Sequence, residues 1–239
     1  MPTVRLTVPL PLPGWLHRSL QRVKRAVTRA SSSDLTGTRE VEFSFIAARL
    51  PAGPGRALDF GCGATHLSLL AAERGFDVVA FDREPQVFPW RHPRATFQLG
   101  DLLQVGFPDA HFDLIINCSA IEHVGLAGRY GVTAGDADGD LRAMSRLRTT
   151  LGPAGIMLLT IPCGRDAVFA PLHRVYGRER LPRLLASFRI AEESYWLKDR
   201  RNCWVNCTKD AALDFEPTAN FANPLLCSCA LGCFVLRPS

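Results

Sequence analysis

The sequence predicts an α/β protein, a doubly wound, mostly parallel seven-stranded sheet with an N-terminal helical extension. Three observations predict it. Apolar runs of strand length alternate with helix-length segments along residues 56–161, and such alternation requires parallel strands joined by right-handed crossovers. The first run, Arg56–Phe60, closes on Gly61-Cys62-Gly63. The second, Val78–Asp82, closes on an acid. Strand, glycine turn, helix, strand, acid is how an open sheet builds a nucleotide pocket.

The elements follow in order. Residues 14–30 read as a basic helix, with Trp15, Leu16, Leu20, Val23 and Val27 near helical spacing. Glu40–Leu50 reads as a second helix, stopped by Pro51, which biases the residue before it away from helical geometry. Strand Arg56–Phe60 leads to helix Thr65–Gly75. Val78–Asp82, Thr96–Leu99 and Leu114–Asn117 are the next strands. Asp138–Leu151 reads as a helix with Leu141, Met144, Leu147 and Leu151 inward. Ile156–Ile161 is the fifth strand and Glu179–Phe188 a further helix. Arg189–Lys198 and Cys229–Leu236 read as the last two strands, with Asp214–Leu226, broken by Pro217 and Pro224, as a loop between them. The expected division is a helical extension over 1–50 and one domain over 51–239.

Composition bounds the function. The chain has 239 residues and is 47% hydrophobic, ample for one buried core. Net charge is +5, yet Arg5, Arg18, Arg22, Lys24, Arg25 and Arg29 all precede the first acid, Asp34. A nucleic-acid enzyme wants its basic patch around the cleft; here the excess sits at one terminus, so no nucleic-acid partner is expected. Three readings of that terminus stay open: a solvated helix lying on the domain, a peripheral membrane-surface helix, or an organellar targeting segment. No apolar run approaches the ~20 residues that span a bilayer, and no secretory signal pattern is present. A cytoplasmic location is expected.

None of the eight cysteines forms a C-x-x-C pair. Cys62, Cys118 and Cys163 fall at strand ends, where a small, weakly polar side chain packs well. Cys203, Cys207, Cys227, Cys229 and Cys233 form the cluster with metal or disulfide potential, but structural zinc sites usually use closer, turn-borne pairs. Buried free thiols in a reducing compartment are the expectation.

The ligand at the glycine turn can be narrowed. A dinucleotide site wants a third glycine where this chain has His66. Asp59-x-Gly61-x-Gly63 resembles motif I of the class I S-adenosylmethionine-dependent methyltransferases. Four further segments agree in order: Asp82 ending the second strand, Gly100-Asp101, the run Phe112–Asn117, and Leu151-Gly152-Pro153-Ala154-Gly155 before the fifth strand, with Ala154 in place of a glycine. Ser119–Leu126, Gly128–Gly131, Asp138–Asp140 and His173–Gly177 are similar to a methyltransferase-like group of uncharacterised function, the DUF268 type. The resemblance implies S-adenosylmethionine as cofactor. It implies Asp59, Gly61, Cys62, Gly63, Asp82, Arg83, Asp101, Leu102 and Asn117 as its binding set, with Asp101 on the adenine amino group. Independently of family, an acid in the place of Asp82 can accept from both ribose hydroxyls.

Methyl transfer is an in-line displacement, and a hydroxyl acceptor gains from a base. Glu122, His123 and His173 are the candidates, with His123 first because it follows the fourth strand and histidine titrates nearest neutral pH. The same three could form a carboxylate-plus-two-His metal site. Methyltransferases that use a metal in this region have a Glu where this chain has Ser119, so no metal is assigned. Asp136, Asp138 and Asp140 lack the Glu of a calcium loop and read as a helix entry. Arg129, Tyr130, Arg174 and Tyr176 are the expected acceptor-binding residues, suited to an acidic or polyhydroxylated small molecule. The resulting expectation is O-methylation of a sugar, glycolipid or secondary metabolite. The alternatives are a non-catalytic binding scaffold and, less well matched, an oxidoreductase.

Overall fold

The computed structural model describes residues 34–239; the basic helix expected over 14–30, with its membrane-surface reading, lies outside them. In chain order the elements are α1 (Thr38–Arg49), β1 (Gly55–Phe60), α2 (Leu67–Glu73), β2 (Phe76–Asp82), β3 (Ala95–Leu99), β4 (Phe112–Cys118), α3 (Gly139–Thr150), β5 (Leu151–Cys163), β6 (Ala167–Phe169), β7 (His173–Val175), α4 (Arg180–Leu185), β8 (Phe188–Lys198), β9 (Trp204–Cys207), α5 (Lys209–Leu213) and β10 (Ala230–Pro238). Single 3-10 turns occupy Ile121–His123 and Pro224–Leu226.

The main sheet has the order β3-β2-β1-β4-β5-β10-β8-β9. Strands β1 to β5 run parallel, whereas β10 is antiparallel to both β5 and β8. The sheet therefore has eight strands where seven were expected, and β6 and β7 form a separate hairpin. The added strand, β9, pairs with β8 across a turn in which the Asp199 carboxylate accepts from the amides of Arg201 and Cys203, at 2.8 and 3.0 Å. Asn202 takes the left-handed conformation there, as Asn tolerates. The β5 strand starts five residues earlier than its apolar run, because Leu151 pairs with Phe112 through a register shift.

Alternation along the strands splits the core in two. On one face Leu58, Ile115, Met157 and Leu159 meet α3 through Met144 and Leu147 and α4 through Leu181 and Leu184. On the other, Ala57, Leu114, Ile116 and Leu158 meet α1 through Phe45 and Ile46 and α2 through Leu67 and Ala71. Helix α1 thus shares a core with the strands and forms one layer of the domain. Because β1, β2, β4 and β5 are parallel, Phe60, Asp82, Cys118 and Cys163 end along one rim. That rim carries the site.

Candidate functional site

A cleft of about 670 Å³ opens over the carboxyl ends of the parallel strands, within the ~300–1,000 Å³ typical of small-molecule sites. Its floor is the β1–α2 turn. The amides of Gly61 and Cys62 both donate to the carbonyl of Phe81, at 2.8 and 3.1 Å, which pins the turn beneath the end of β2. Gly61 has φ +65°, and a Cβ there would stand 2.4 Å from the Cβ of Ala120. Gly63 differs: at φ +50° the nearest atom to an added Cβ is Thr65 Cγ2, at 3.8 Å, so a side chain would take up cleft space.

Asp82 closes the turn. Its Oδ2 accepts from the Gly63 amide at 2.8 Å and its Oδ1 from the Glu84 amide at 2.9 Å. A carboxylate has about four lone-pair sites, so both oxygens keep capacity for a ligand's hydroxyls. Asp101 stands further along the wall beside Leu102, paired with Arg83 at 2.8 Å. Asp59 lies beneath the turn, buried, and accepts from Ser68 Oγ at 2.6 Å. Burial, with Asp82 nearby, pushes its carboxyl up to about 7.

The opposite wall begins where β4 ends. His123 Nδ1 lies 2.6 Å from the carbonyl oxygen of Leu172. A carbonyl can only accept, so Nδ1 carries the hydrogen and Nε2 keeps its lone pair. Burial and then the Arg129 cation hold His123 down at about 3. Glu122 Oε1 is 3.9 Å from His123 Nε2, while Glu122 Oε2 is buried with no partner; burial raises this carboxyl to about 8. Tyr130 meets the His123 ring edge-on at 5.5 Å, and the Arg129 guanidinium lies 4.5 Å from the Tyr130 ring centre. Tyr130 is held at φ +50°, a conformation uncommon for a bulky residue and concentrated at functional sites.

The structure brings Asp59, Gly61, Cys62, Gly63, Asp82, Arg83, Asp101 and Leu102 to the cleft lining, together with His123, Arg129 and Tyr130. It does not bring Asn117, Glu122, His173, Arg174 or Tyr176 there. Asn117 is buried, and its Oδ1 accepts from the Ile121 amide at 3.3 Å. His173 is buried, with Nε2 unpartnered, and burial lowers it to about 4. Arg174 is 1% exposed. It donates to the carbonyls of Val124 and Asp136, at 2.5 and 2.9 Å, and faces Asp140 at 3.7 Å. Tyr176 is fully buried and donates to Asp140 at 3.0 Å. Arg174 and Tyr176 were expected on the acceptor; they instead brace the loop from Val124 to Asp140 from behind. Among the described residues, no three His, Cys, Asp or Glu side chains converge to hold a metal ion, and the described cysteines are free thiols.

Sequence reasoning missed the contribution of α1. Arg39 lines the cleft, and its guanidinium reaches Glu42 at 3.1 Å and Cys118 Sγ at 3.4 Å. Glu42 is fully buried and accepts from Ser119 and, at 2.9 Å, from Thr160 Oγ1. Desolvation outweighs these partners and raises its carboxyl. The signal in the sequence was the Arg39–Glu42 spacing of three, which places both on one helix face. His66, which occupies the third glycine position, stands at the N-cap position of α2 without a side-chain capping bond and packs edge-on against Phe43 at 4.9 Å.

Comparisons with known proteins bear on the fold and the cofactor class. The family described as "Methyltransferase domain" matches residues 57–133, and that described as "Caenorhabditis protein of unknown function, DUF268" matches residues 105–209. A "Probable S-adenosylmethionine-dependent methyltransferase" of Mycolicibacterium smegmatis is 26% identical over 125 residues, 48% of this chain and 44% of that protein. The chain thus spans less than half the length of that relative. Among solved structures, Burkholderia thailandensis 1,6-didemethyltoxoflavin-N1-methyltransferase, with bound 1,6-didemethyltoxoflavin and S-adenosylhomocysteine, superposes with a TM-score of 0.53 at 15% identity, covering 98% of this chain and 93% of that one. An S-adenosylmethionine-dependent methyltransferase from Mesorhizobium loti gives 0.53 at 17% identity, covering 82% and 97%. At these identities the structural likeness speaks for the fold.

Proposed function

We infer that this chain, which has the class I methyltransferase fold and carries a methyltransferase-domain match, is an S-adenosylmethionine-dependent methyltransferase acting on a hydroxyl of a small molecule. The observation that carries the cofactor is the pairing of Asp82 with the Gly63 amide at the floor of a cleft that ends at His123. The residues fit the group. Gly63 leaves open space above the turn, Asp82 keeps acceptor capacity for two ribose hydroxyls, and Asp101 and Leu102 supply a polar edge and an apolar face for an adenine. Arg39, on α1 beside Cys118 at the end of β4, is half-exposed and keeps N–H donors beyond its contact with Glu42 for the amino-acid carboxylate.

When bound, the cofactor supplies a methyl group activated on a sulfonium. The chain supplies position and a proton acceptor. Holding two reactants in near-attack geometry can contribute ~7–11 kcal/mol. His123 presents an unprotonated Nε2, because Leu172 fixes the other nitrogen as the donor, and a positioned base adds ~10²–10⁴-fold. Glu122, kept protonated at neutral pH by burial, adds no charge beside it. Tyr130 and Arg129 form the wall against which an acceptor would stack.

The strong depression of His123 favours one second reading, a cofactor-binding scaffold without turnover. Calorimetric titration with S-adenosylhomocysteine, with NAD⁺ as control, tests the cofactor. Micromolar binding of the first alone is expected; absence of binding would overturn the reading. Single-turnover assays with hydroxyl acceptors then separate enzyme from scaffold.

A further inference from the structure

Four arginines line the cleft: Arg39, Arg83, Arg129 and Arg142. Three have a carboxylate. Arg39 has Glu42 at 3.1 Å, Arg83 has Asp101 at 2.8 Å, and Arg142 pairs with Asp136. Arg129 has none among the described residues; its contacts are the Leu172 carbonyl at 3.4 Å and the face of Tyr130. Residues 1–33 contain no Asp or Glu, so the rest of the chain holds no carboxylate side chain to supply. A half-buried guanidinium without a counter-charge is costly. A planar fork of donors is the preferred partner of carboxylate and phosphate.

We propose that the acceptor carries an oxyanion, a carboxylate or a phosphate, and that Arg129 binds it with the acceptor's ring or chain against Tyr130. This rests on the methyltransferase reading and narrows its substrate class.

The test is titration of the protein, with and without S-adenosylhomocysteine, with benzoate, phenyl phosphate and the neutral isostere benzamide, each against wild type and Arg129→Gln. Saturable binding of an anionic probe at least tenfold tighter than benzamide, with that preference lost in R129Q, is expected; the stronger of the two anions identifies carboxylate or phosphate. Equal binding of benzamide, or an anion preference that survives in R129Q, would overturn the proposal. S-Adenosylhomocysteine and 5′-methylthioadenosine, which lacks the amino-acid carboxylate, are titrated alongside. If R129Q weakened the first tenfold and spared the second, Arg129 would serve the cofactor's carboxylate and the proposal would fail. Failure of wild type to bind S-adenosylhomocysteine would sink the cofactor reading separately, because the benzoate arm is read without it.

Discussion

His123 reaches across 49 residues to the carbonyl oxygen of Leu172, 2.6 Å from its Nδ1. That contact ties the β4 end to the β6–β7 hairpin and settles which imidazole nitrogen can accept a proton. Replacing His123 by Ala removes the proposed base while leaving the glycine turn and Asp82 in place. Turnover of an accepted substrate should fall ~10²–10⁴-fold, with S-adenosylhomocysteine affinity held within about threefold. Turnover indistinguishable from wild type would remove His123 as the base.

Buried titratable groups on both sides of the cleft make stability depend on pH. Glu122 moves from 4.5 to about 8 on folding and Asp59 from 3.8 to about 7, both chiefly through burial. The folded state therefore binds more protons than the unfolded state across those windows, and stability falls as pH rises through them. His123 has the opposite sign. Lowered from 6.5 to about 3, it costs stability as pH falls from 6.5 towards 3. Above pH 6.5 the raised carboxyls, Glu42 among them, carry the fall. Urea midpoints should drop between pH 6.5 and 8 in wild type and drop less in Glu122→Gln. A parallel decline in both proteins would show that Glu122 is not the titrating group.

The floor of the cleft was legible in the sequence because each part is local: the β1 apolar run, the two glycines and the acid ending β2 lie within one βαβ unit. Its far wall was less so. Arg174 and Tyr176 follow β5 and were expected on the acceptor, yet β7 and the residue after it face inward onto Asp140. Nothing in local pattern distinguishes an arginine facing a ligand from one facing carbonyls. Glu42 was hidden for the same reason, since its partners Ser119 and Thr160 are 77 and 118 residues away. The β9 strand escaped because Trp204–Cys207 is short and lies at the sheet edge.

The bracing role of Arg174 makes its own prediction. Its guanidinium satisfies the carbonyls of Val124 and Asp136 and faces Asp140 in the interior. Arg174→Met should cost about 3–5 kcal/mol, as breaking a buried pair does. Tyr176→Phe should cost about 1–2 kcal/mol, because Asp140 keeps Arg180 at 2.9 Å when the phenol hydroxyl is lost. Chemical denaturation reads both. A stable R174M protein whose KM for acceptor rises would instead return Arg174 to the binding face.

The two glycines of the turn should respond differently to the same added methyl. At Gly61 the Cβ collides with Ala120, a fixed backbone-borne methyl, and adopts a left-handed conformation besides. Strain and overpacking together should cost about 2–4 kcal/mol. At Gly63 the methyl meets nothing closer than 3.8 Å, so only the backbone penalty of about 1–2 kcal/mol applies. Yet that methyl takes up cleft space over which the proposed cofactor placement runs. Gly63→Ala should therefore remain the more stable variant while losing at least tenfold in S-adenosylhomocysteine affinity. Urea unfolding and calorimetry on the two variants read the separation. If Gly63→Ala bound the ligand as wild type does, the turn would not be the surface over which the cofactor lies.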